Sequence, residues 1–207
     1  MIGIIDTGTC NLNSIKNIIE KEKKKTIIIK SLSQFKNKKI KKVIIPGVGS
    51  FAECMKNLKS TKIDKEIVLF SKKNMVLGIC VGMQILGTDG YEFKHEKGLN
   101  LLNFVVKKMK IKKQYALPHV GWNNVRFKKS ILFEGVKQNS DFYFTHSYEV
   151  IVSDKKIIIG ETNYGKKFVS AVGHGNVYGV QFHPEKSQDS GLQLLRNYNK
   201  IVEESRA

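Results

Sequence analysis

The stretch Asn74-Met75-Val76-Leu77-Gly78-Ile79-Cys80-Val81-Gly82-Met83-Gln84-Ile85-Leu86 constrains the chain more than any other. Its first half is an apolar run of strand length, and its second half reads as the first turns of a helix. Between them, Gly78-x-Cys80-x-Gly82 sets a thiol on a sharp strand-to-helix turn. A buried strand that feeds directly into a helix belongs to an α/β protein, where reactive groups lie beyond the carboxyl ends of the strands. The bland alternative is an inert buried thiol at a tight connection.

The flanking sequence supports an α/β reading. Strands are expected at 2–6, 26–29 and 42–45, and helices at 12–19, near 50–58 and at 63–73. Their alternation over residues 1–90 predicts a mostly parallel, doubly wound central sheet flanked by helices. From Gly98 onward the pattern changes. Strands are expected at 101–108, 123–127, 142–144, 148–152, 157–161, 168–172 and 177–180, with a closing helix at 189–203. Asn163-Tyr164-Gly165 and Gly173-His174-Gly175-Asn176 read as hairpin turns, so this half adds antiparallel strands. At 207 residues, one domain spanning 1–207 is expected. Pro46-Gly47-Val48-Gly49 follows a strand and can aim backbone N–H groups at a ligand, or can simply connect to the next helix.

Composition narrows the function classes. No apolar run approaches the ~20 residues of a membrane helix. Met1-Ile2-Gly3-Ile4-Ile5-Asp6 lacks a basic n-region and cleavage site, so a cytoplasmic protein with no membrane partner is expected. Cys10, Cys54 and Cys80 do not make an even disulfide framework and are expected as thiols. The formal charge is +18, yet of 36 basic residues only Arg126, Arg196 and Arg206 are arginine. The lysines fall in short runs around 23–25, 38–42, 107–113, 128–129 and 166–167. That dispersal reads as a solvated lysine-rich surface with no nucleic-acid partner, although it can still attract a phosphorylated substrate or an acidic protein. The competing class, a non-catalytic nucleic-acid module, would bind salt-sensitively and be indifferent to Cys80.

A nucleophilic thiol needs a base, and the base needs orienting. The histidines are His95, His119, His146, His174 and His183. Only His183 has an acid on the next-but-one residue, in Gln181-Phe182-His183-Pro184-Glu185, and it follows a strand directly. Cys80, His183 and Glu185 therefore form a candidate triad, against the plain reading of His183 as a turn histidine bonded to backbone. The N–H of Val81, at the start of a helix, can favour an ionised sulfur and receive an oxyanion. His95 and His174 read as surface residues. No Cys/His pairs have ligand spacing, so neither a metal nor a cofactor is expected.

Gly78-Ile79-Cys80-Val81-Gly82-Met83-Gln84, followed far downstream by Gln181-Phe182-His183-Pro184-Glu185, resembles the class I, triad-type glutamine amidotransferases. Further segments match in order: Asp6-x-Gly8-x-x-Asn11-Leu12, Pro46-Gly47-Val48-Gly49-Ser50-Phe51, Pro118-His119-Val120-Gly121-Trp122-Asn123, Phe142-Tyr143-Phe144-Thr145-His146-Ser147-Tyr148 and Gly179 through Ser187. Together they resemble the glutaminase subunits of imidazole glycerol phosphate synthases, of histidine biosynthesis. The resemblance implies a flavodoxin-like fold and hydrolysis of L-glutamine to glutamate and ammonia through a cysteinyl thioester. In it Cys80 attacks, His183 moves the proton and Glu185 holds the tautomer. It implies an oxyanion hole at Val48, Gly49 and Val81, with the loop amide turned into place only when the partner's substrate binds. It implies glutamine contacts from Gln84, Glu92, His146, Ser147 and Tyr148. It also implies a heterodimer, docked through Asn11, Pro118, Trp122 and Asn123 onto a (β/α)8-barrel synthase (cyclase) subunit. Ammonia would pass through that barrel to make imidazole glycerol phosphate and AICAR. The chain departs from the family at Cys10, usually glycine, at Thr7, often tyrosine, and at Gly87-Thr88-Asp89-Gly90-Tyr91, commonly acidic. Those departures leave a second partner open, a sugar amidotransferase of surface polysaccharide biosynthesis.

Overall fold

The computed structural model describes residues 1–8, 10 and 12–201. Strand β1 (Ile2–Ile5) is buried along its whole length, as an apolar run inside a parallel sheet must be. Helix α1 (Leu12–Lys21) buries Leu12, Ile15 and Ile19, the i, i+3, i+7 stripe of a single face. Strand β2 (Thr26–Ile29) pairs with β1 in parallel. One helical turn, α2 (Leu32–Phe35), begins with a reciprocal capping box between Ser31 and Gln34 and precedes β3 (Lys42–Gly47). Helix α3 (Phe51–Ser60) starts on Ser50, whose hydroxyl accepts the Glu53 N–H. Helix α4 (Ile63–Ser71) then leads to β4 (Met75–Cys80), which runs straight into α5 (Val81–Gln84).

The order β2-β1-β3-β4 is parallel throughout, so the expected doubly wound half is present. The chain steps first to one side of β1 and then to the other. Right-handed crossovers therefore put α1 on one face and α2 to α4 on the opposite face, and α4 indeed packs against both α2 and α3.

The second half adds the hairpin β5 (Asp89–Glu92) and β6 (Lys94–Lys97), then β7 (Phe104–Lys108), β8 (His119–Phe127), β9 (Ser140–His146) and β10 (Tyr148–Val152). It ends with β11 (Ile158–Asn163), β12 (Lys167–His174), β13 (Val177–Val180) and α6 (Gln188–Lys200). Strand β13 lies parallel beside β4, and β12, β10, β7, β5 and β6 continue the sheet. Strand β11 branches from β12 and carries β8 and β9. Both expected hairpin turns are found, joining β11 to β12 and β12 to β13. Buried residues of the two halves form one continuous core. Inside it, the Tyr198 hydroxyl of α6 lies 2.8 Å from the Val43 carbonyl and 3.0 Å from that of Met75, tying α6 to β3 and β4.

Strand β8 begins four residues before the expected 123 and β7 three residues after the expected 101, and three further elements differ in kind. Helix α2 and the β5–β6 hairpin have no periodic apolar signal, one being a single turn and the other containing Lys94-His95-Glu96-Lys97. The helix after Cys80 is one turn only. At Gly87 the chain packs so tightly on Phe104 that an added Cβ would lie 2.4 Å from its ring, and the chain turns away there. The turn offers its free N–H groups to the site but little macrodipole.

Candidate active site

Cys80 adopts φ 56°, ψ −113°. A non-glycine residue in such a region stores about 1–3 kcal/mol of backbone strain. The surrounding glycines hold it there. A Cβ on Gly82 would lie 1.7 Å from the Ile45 carbonyl oxygen, and one on Gly78 would lie 2.4 Å from that of Gly82. Only glycine lets β3, β4 and α5 approach so closely, which accounts for the Gly-x-Cys-x-Gly spacing. Register does the rest: Gly47 of β3 lies opposite Cys80, so the Pro46–Gly49 loop leaves its strand beside the sulfur. Gly49 has φ +94°.

Strand β13 delivers His183, the candidate base. Val180 lies opposite Ile79 of β4, so the residues after β13 emerge next to Cys80. The His183 N–H donates to the Tyr143 carbonyl at 2.8 Å, and the Ser187 hydroxyl donates to the His183 carbonyl at 2.6 Å. Pro184 opens a 3-10 turn, Pro184–Lys186, that carries Glu185 back to the imidazole. There His183 Nδ1–H donates to Glu185 Oε1 at 2.8 Å. His183 Nε2 is buried, bonds no protein oxygen or nitrogen, and faces the Cys80 sulfur. Burial works against a charged imidazole, but Cys80 and Glu185 outweigh it and push the His183 pKa up to about 10. The arrangement sets a readily protonated imidazole beside the Cys80 sulfur, which is the kind of partner a thiol nucleophile requires.

Cys80 opens on a cavity of about 290 Å³, at the small end of the ~300–1,000 Å³ typical of small-molecule sites. Val48, Gly49, Val81, Gln84, Glu92, His146, Ser147 and Tyr148 all line it, together with Thr145 and Pro118. His183 and Glu185 are not among its lining residues. Glu92 Oε2 accepts the Phe51 N–H at 2.8 Å, while burial pushes its carboxyl above the usual range. Beyond Pro118, β8 alternates inward and outward, leaving Val120 56% and Trp122 47% exposed, with Asn123 half-buried. Asn11 lies outside the described residues.

Three residues that sequence reasoning assigned no individual role stand close to the sulfur or the cavity. Gln181 Nε2 lies 3.7 Å from Cys80 Sγ, and the Thr145 carbonyl lies 3.9 Å from it. His119 Nδ1 lies 3.2 Å from His146 Nε2. A lone amide in the apolar run Val180-Gln181-Phe182 was the available signal for Gln181. Thr145 contributes a main-chain oxygen, which no side-chain pattern records. Burial pushes the other two thiols up, Cys54 to about 12 and Cys10 upward. All three cysteines are free. His95 and His174 are exposed. Among the described residues no cluster of His, Cys, Asp and Glu could hold a metal ion, and no helix is long and apolar enough to cross a membrane.

The family model of the class I glutamine amidotransferases matches residues 3–200. The imidazole glycerol phosphate synthase subunit HisH 2 of Methanococcus maripaludis is 44% identical over 205 residues, covering 97% of this chain and 99% of that one. The subunit HisH of Sulfurimonas denitrificans is 39% identical over 204 residues, covering 97% and 98%. A solved glutamine amidotransferase shares the fold with a TM-score of 0.72 at 16% identity, over 96% of this chain and 98% of that one. By its sequence along nearly its whole length, and by a fold that agrees, the chain belongs to the class I glutamine amidotransferase family.

Proposed function

We propose that this chain is a cytoplasmic, single-domain glutaminase subunit that makes ammonia for a synthase partner. The observation that supports it is that Cys80 lines a small cavity while its sulfur meets His183, itself bonded to Glu185. Cys80 thiolate attacks the side-chain amide carbon of L-glutamine. The oxyanion is received by the N–H of Val81 and the Val48–Gly49 loop. The C–N bond breaks as imidazolium His183 gives its proton to the departing nitrogen, leaving a glutamyl thioester and ammonia. Water then adds, its proton passing to His183, and the C–S bond breaks to release glutamate. Glu185 keeps the Nδ1 proton of His183 in place, so Nε2 serves both steps. Gln84 and Glu92 contact the glutamine, and His146, Ser147 and Tyr148 hold its carboxylate end.

Free ammonia is protonated in water at neutral pH and loses its nucleophilicity. A subunit that makes it therefore profits from discharging it into a partner. The likeness to HisH subunits across nearly the whole chain favours the synthase (cyclase) subunit of imidazole glycerol phosphate synthase. In this reading a (β/α)8 barrel docks as a heterodimer on the face bearing Pro118, Trp122 and Asn123, and uses the ammonia to form imidazole glycerol phosphate and AICAR. The test is glutamine turnover by the chain alone and with the cognate synthase and its ribonucleotide. Strong stimulation is expected. Cys80→Ala should abolish glutamine-dependent turnover and spare ammonia-dependent turnover in the complex. A synthase that neither binds nor stimulates the chain overturns the partner; equal loss of both turnovers in Cys80→Ala overturns the role of Cys80.

A further inference from the structure

We propose that Gln181 is a positioning residue of the active site, a fixed hydrogen-bond donor that holds the Cys80 sulfur in its ionised form and in the line of attack. The inference rests on Cys80 being the nucleophile. Gln181 is fully buried, 0% exposed, in the segment that leaves β13 beside β4. Its main-chain N–H is anchored to the Ser170 carbonyl at 2.9 Å. An amide side chain in such surroundings must have partners, because a buried unpaired amide is costly.

Its partners also fix which way it points. The carbonyl of Tyr148 can only accept. Gln84 Nε2 lies 3.5 Å from it and 3.0 Å from Gln181 Oε1, so the NH2 of Gln84 faces both oxygens. With Oε1 of Gln181 committed to Gln84, its NH2 is turned to Cys80 Sγ at 3.7 Å. The sulfur thus has different neighbours for its two protonation states. A thiol can give its proton toward the Thr145 carbonyl at 3.9 Å, while a thiolate can accept from Gln181 and from His183. Gln181 never competes for the proton, since an amide NH2 neither gains nor loses one at working pH. It biases the sulfur without disturbing the base. The same Tyr148 carbonyl accepts His146 Nδ1–H at 2.8 Å. One main-chain oxygen therefore orients both the amide pair behind the sulfur and a histidine of the substrate wall.

The experiment compares wild type with Gln181→Met, which keeps the volume and removes the donor, and Gln181→Asn, which keeps the donor but draws it back. Cys80 alkylation by iodoacetamide at pH 7, in the protein with its synthase partner, reads the ionised sulfur directly. Alkylation about tenfold or more slower in Gln181→Met, and an intermediate rate in Gln181→Asn, are expected for loss of a hydrogen bond to a charged group. The kcat for glutamine should fall in parallel with KM little changed, and ammonia-dependent synthesis should be unaltered. Unchanged alkylation and kcat in both variants would overturn the proposal, as would a rise in KM alone, which assigns Gln181 to holding Gln84. If Gln181→Met does not fold, Gln181→Asn decides by the same two readings. The underlying reading fails separately: if Cys80→Ala keeps glutamine-dependent turnover, Cys80 is not the nucleophile, whatever Gln181 does.

Discussion

His119 donates from Nδ1 to Nε2 of His146 across 3.2 Å, and both rings are buried. The direction follows from the other ends of the chain of bonds. His146 Nδ1–H is used on the Tyr148 carbonyl, and the Asn123 amide approaches His119 Nε2 at 3.4 Å. Donation therefore runs one way, from Asn123 on the exposed strand β8 to the cavity wall. The pair is wedged among rings, with Tyr164 stacked on His119 at 3.9 Å between centroids.

That arrangement predicts a pH dependence of stability. Burial holds His119 at about 4 and His146 at about 3, against 6.5 for a free histidine. The unfolded chain takes up these protons first, so stability is intact above about 6.5 and declines as pH falls toward 4. The loss attributable to this pair should be on the order of a few kcal/mol. Urea titrations at pH 7 and pH 4.5 check it. His146→Gln retains a donor for Tyr148 and an acceptor for His119 and should flatten the decline. A wild-type slope unchanged in that variant would remove the pair as its source.

Glu185 and Cys80 act on His183 in the same direction. With both present, the pKa of about 10 contributes stability that is full below 6.5 and disappears as pH rises through 10. Glu185→Gln keeps the Nδ1 contact and loses the charge, and Cys80→Ala removes the sulfur. Each should lower the His183 value, followed by imidazole NMR, and Glu185→Gln should cut glutamine turnover by about 10² or more. A His183 that titrates identically in all three proteins would contradict the geometry.

Gly82 and Gly175 should respond oppositely in scale to alanine. The Gly82 Cβ would collide with the Ile45 carbonyl at 1.7 Å, whereas at Gly175, φ +55°, nothing lies within 4 Å. Gly82→Ala should cost more than about 4 kcal/mol or prevent folding. Gly175→Ala should cost about 1–2 kcal/mol, from the left-handed backbone alone. Guanidinium unfolding gives both values, and equal costs would mean that β3 yields.

Tyr198→Phe deletes the hydroxyl between the Val43 and Met75 carbonyls without changing ring packing. A loss of about 1–3 kcal/mol is expected, with glutamine turnover per folded molecule unchanged. Altered turnover would show that α6 sets the position of β4 at the site.

Much of this molecule could be read from its sequence where one residue type has one physical use. Apolar runs placed the central strands, and β2, β10 and β13 fall where they were expected. The glycines around Cys80 marked a close approach, and an acid two residues after His183 marked the contact between His183 and Glu185. Less was legible where the information is carried by the main chain or by partners distant in sequence. The Tyr148 and Thr145 carbonyls leave no mark on residue identity. His119 was seen only as part of an exposed docking segment, because strand β8 turns its alternate residues inward and the sequence there is not apolar. The single turn of α5 is cut short by the packing of Gly87 on Phe104, a contact that only the folded chain reveals.

The placement of β13 has a consequence for how the protein is born. This late strand inserts between β4 and β12. Until it emerges from the ribosome, β4 has an open edge, and the sulfur of Cys80 has neither base nor amide beside it. If Cys80 is the nucleophile proposed above, a nascent chain cannot squander glutamine before its final third is made, but for that interval it exposes an apolar edge strand to its neighbours. A fragment ending at residue 175 should accordingly aggregate in a pulldown-free sedimentation assay, and adding a peptide of residues 176–201 during refolding should keep it in solution. A fragment that stays soluble by itself would show that β4 finds another cover.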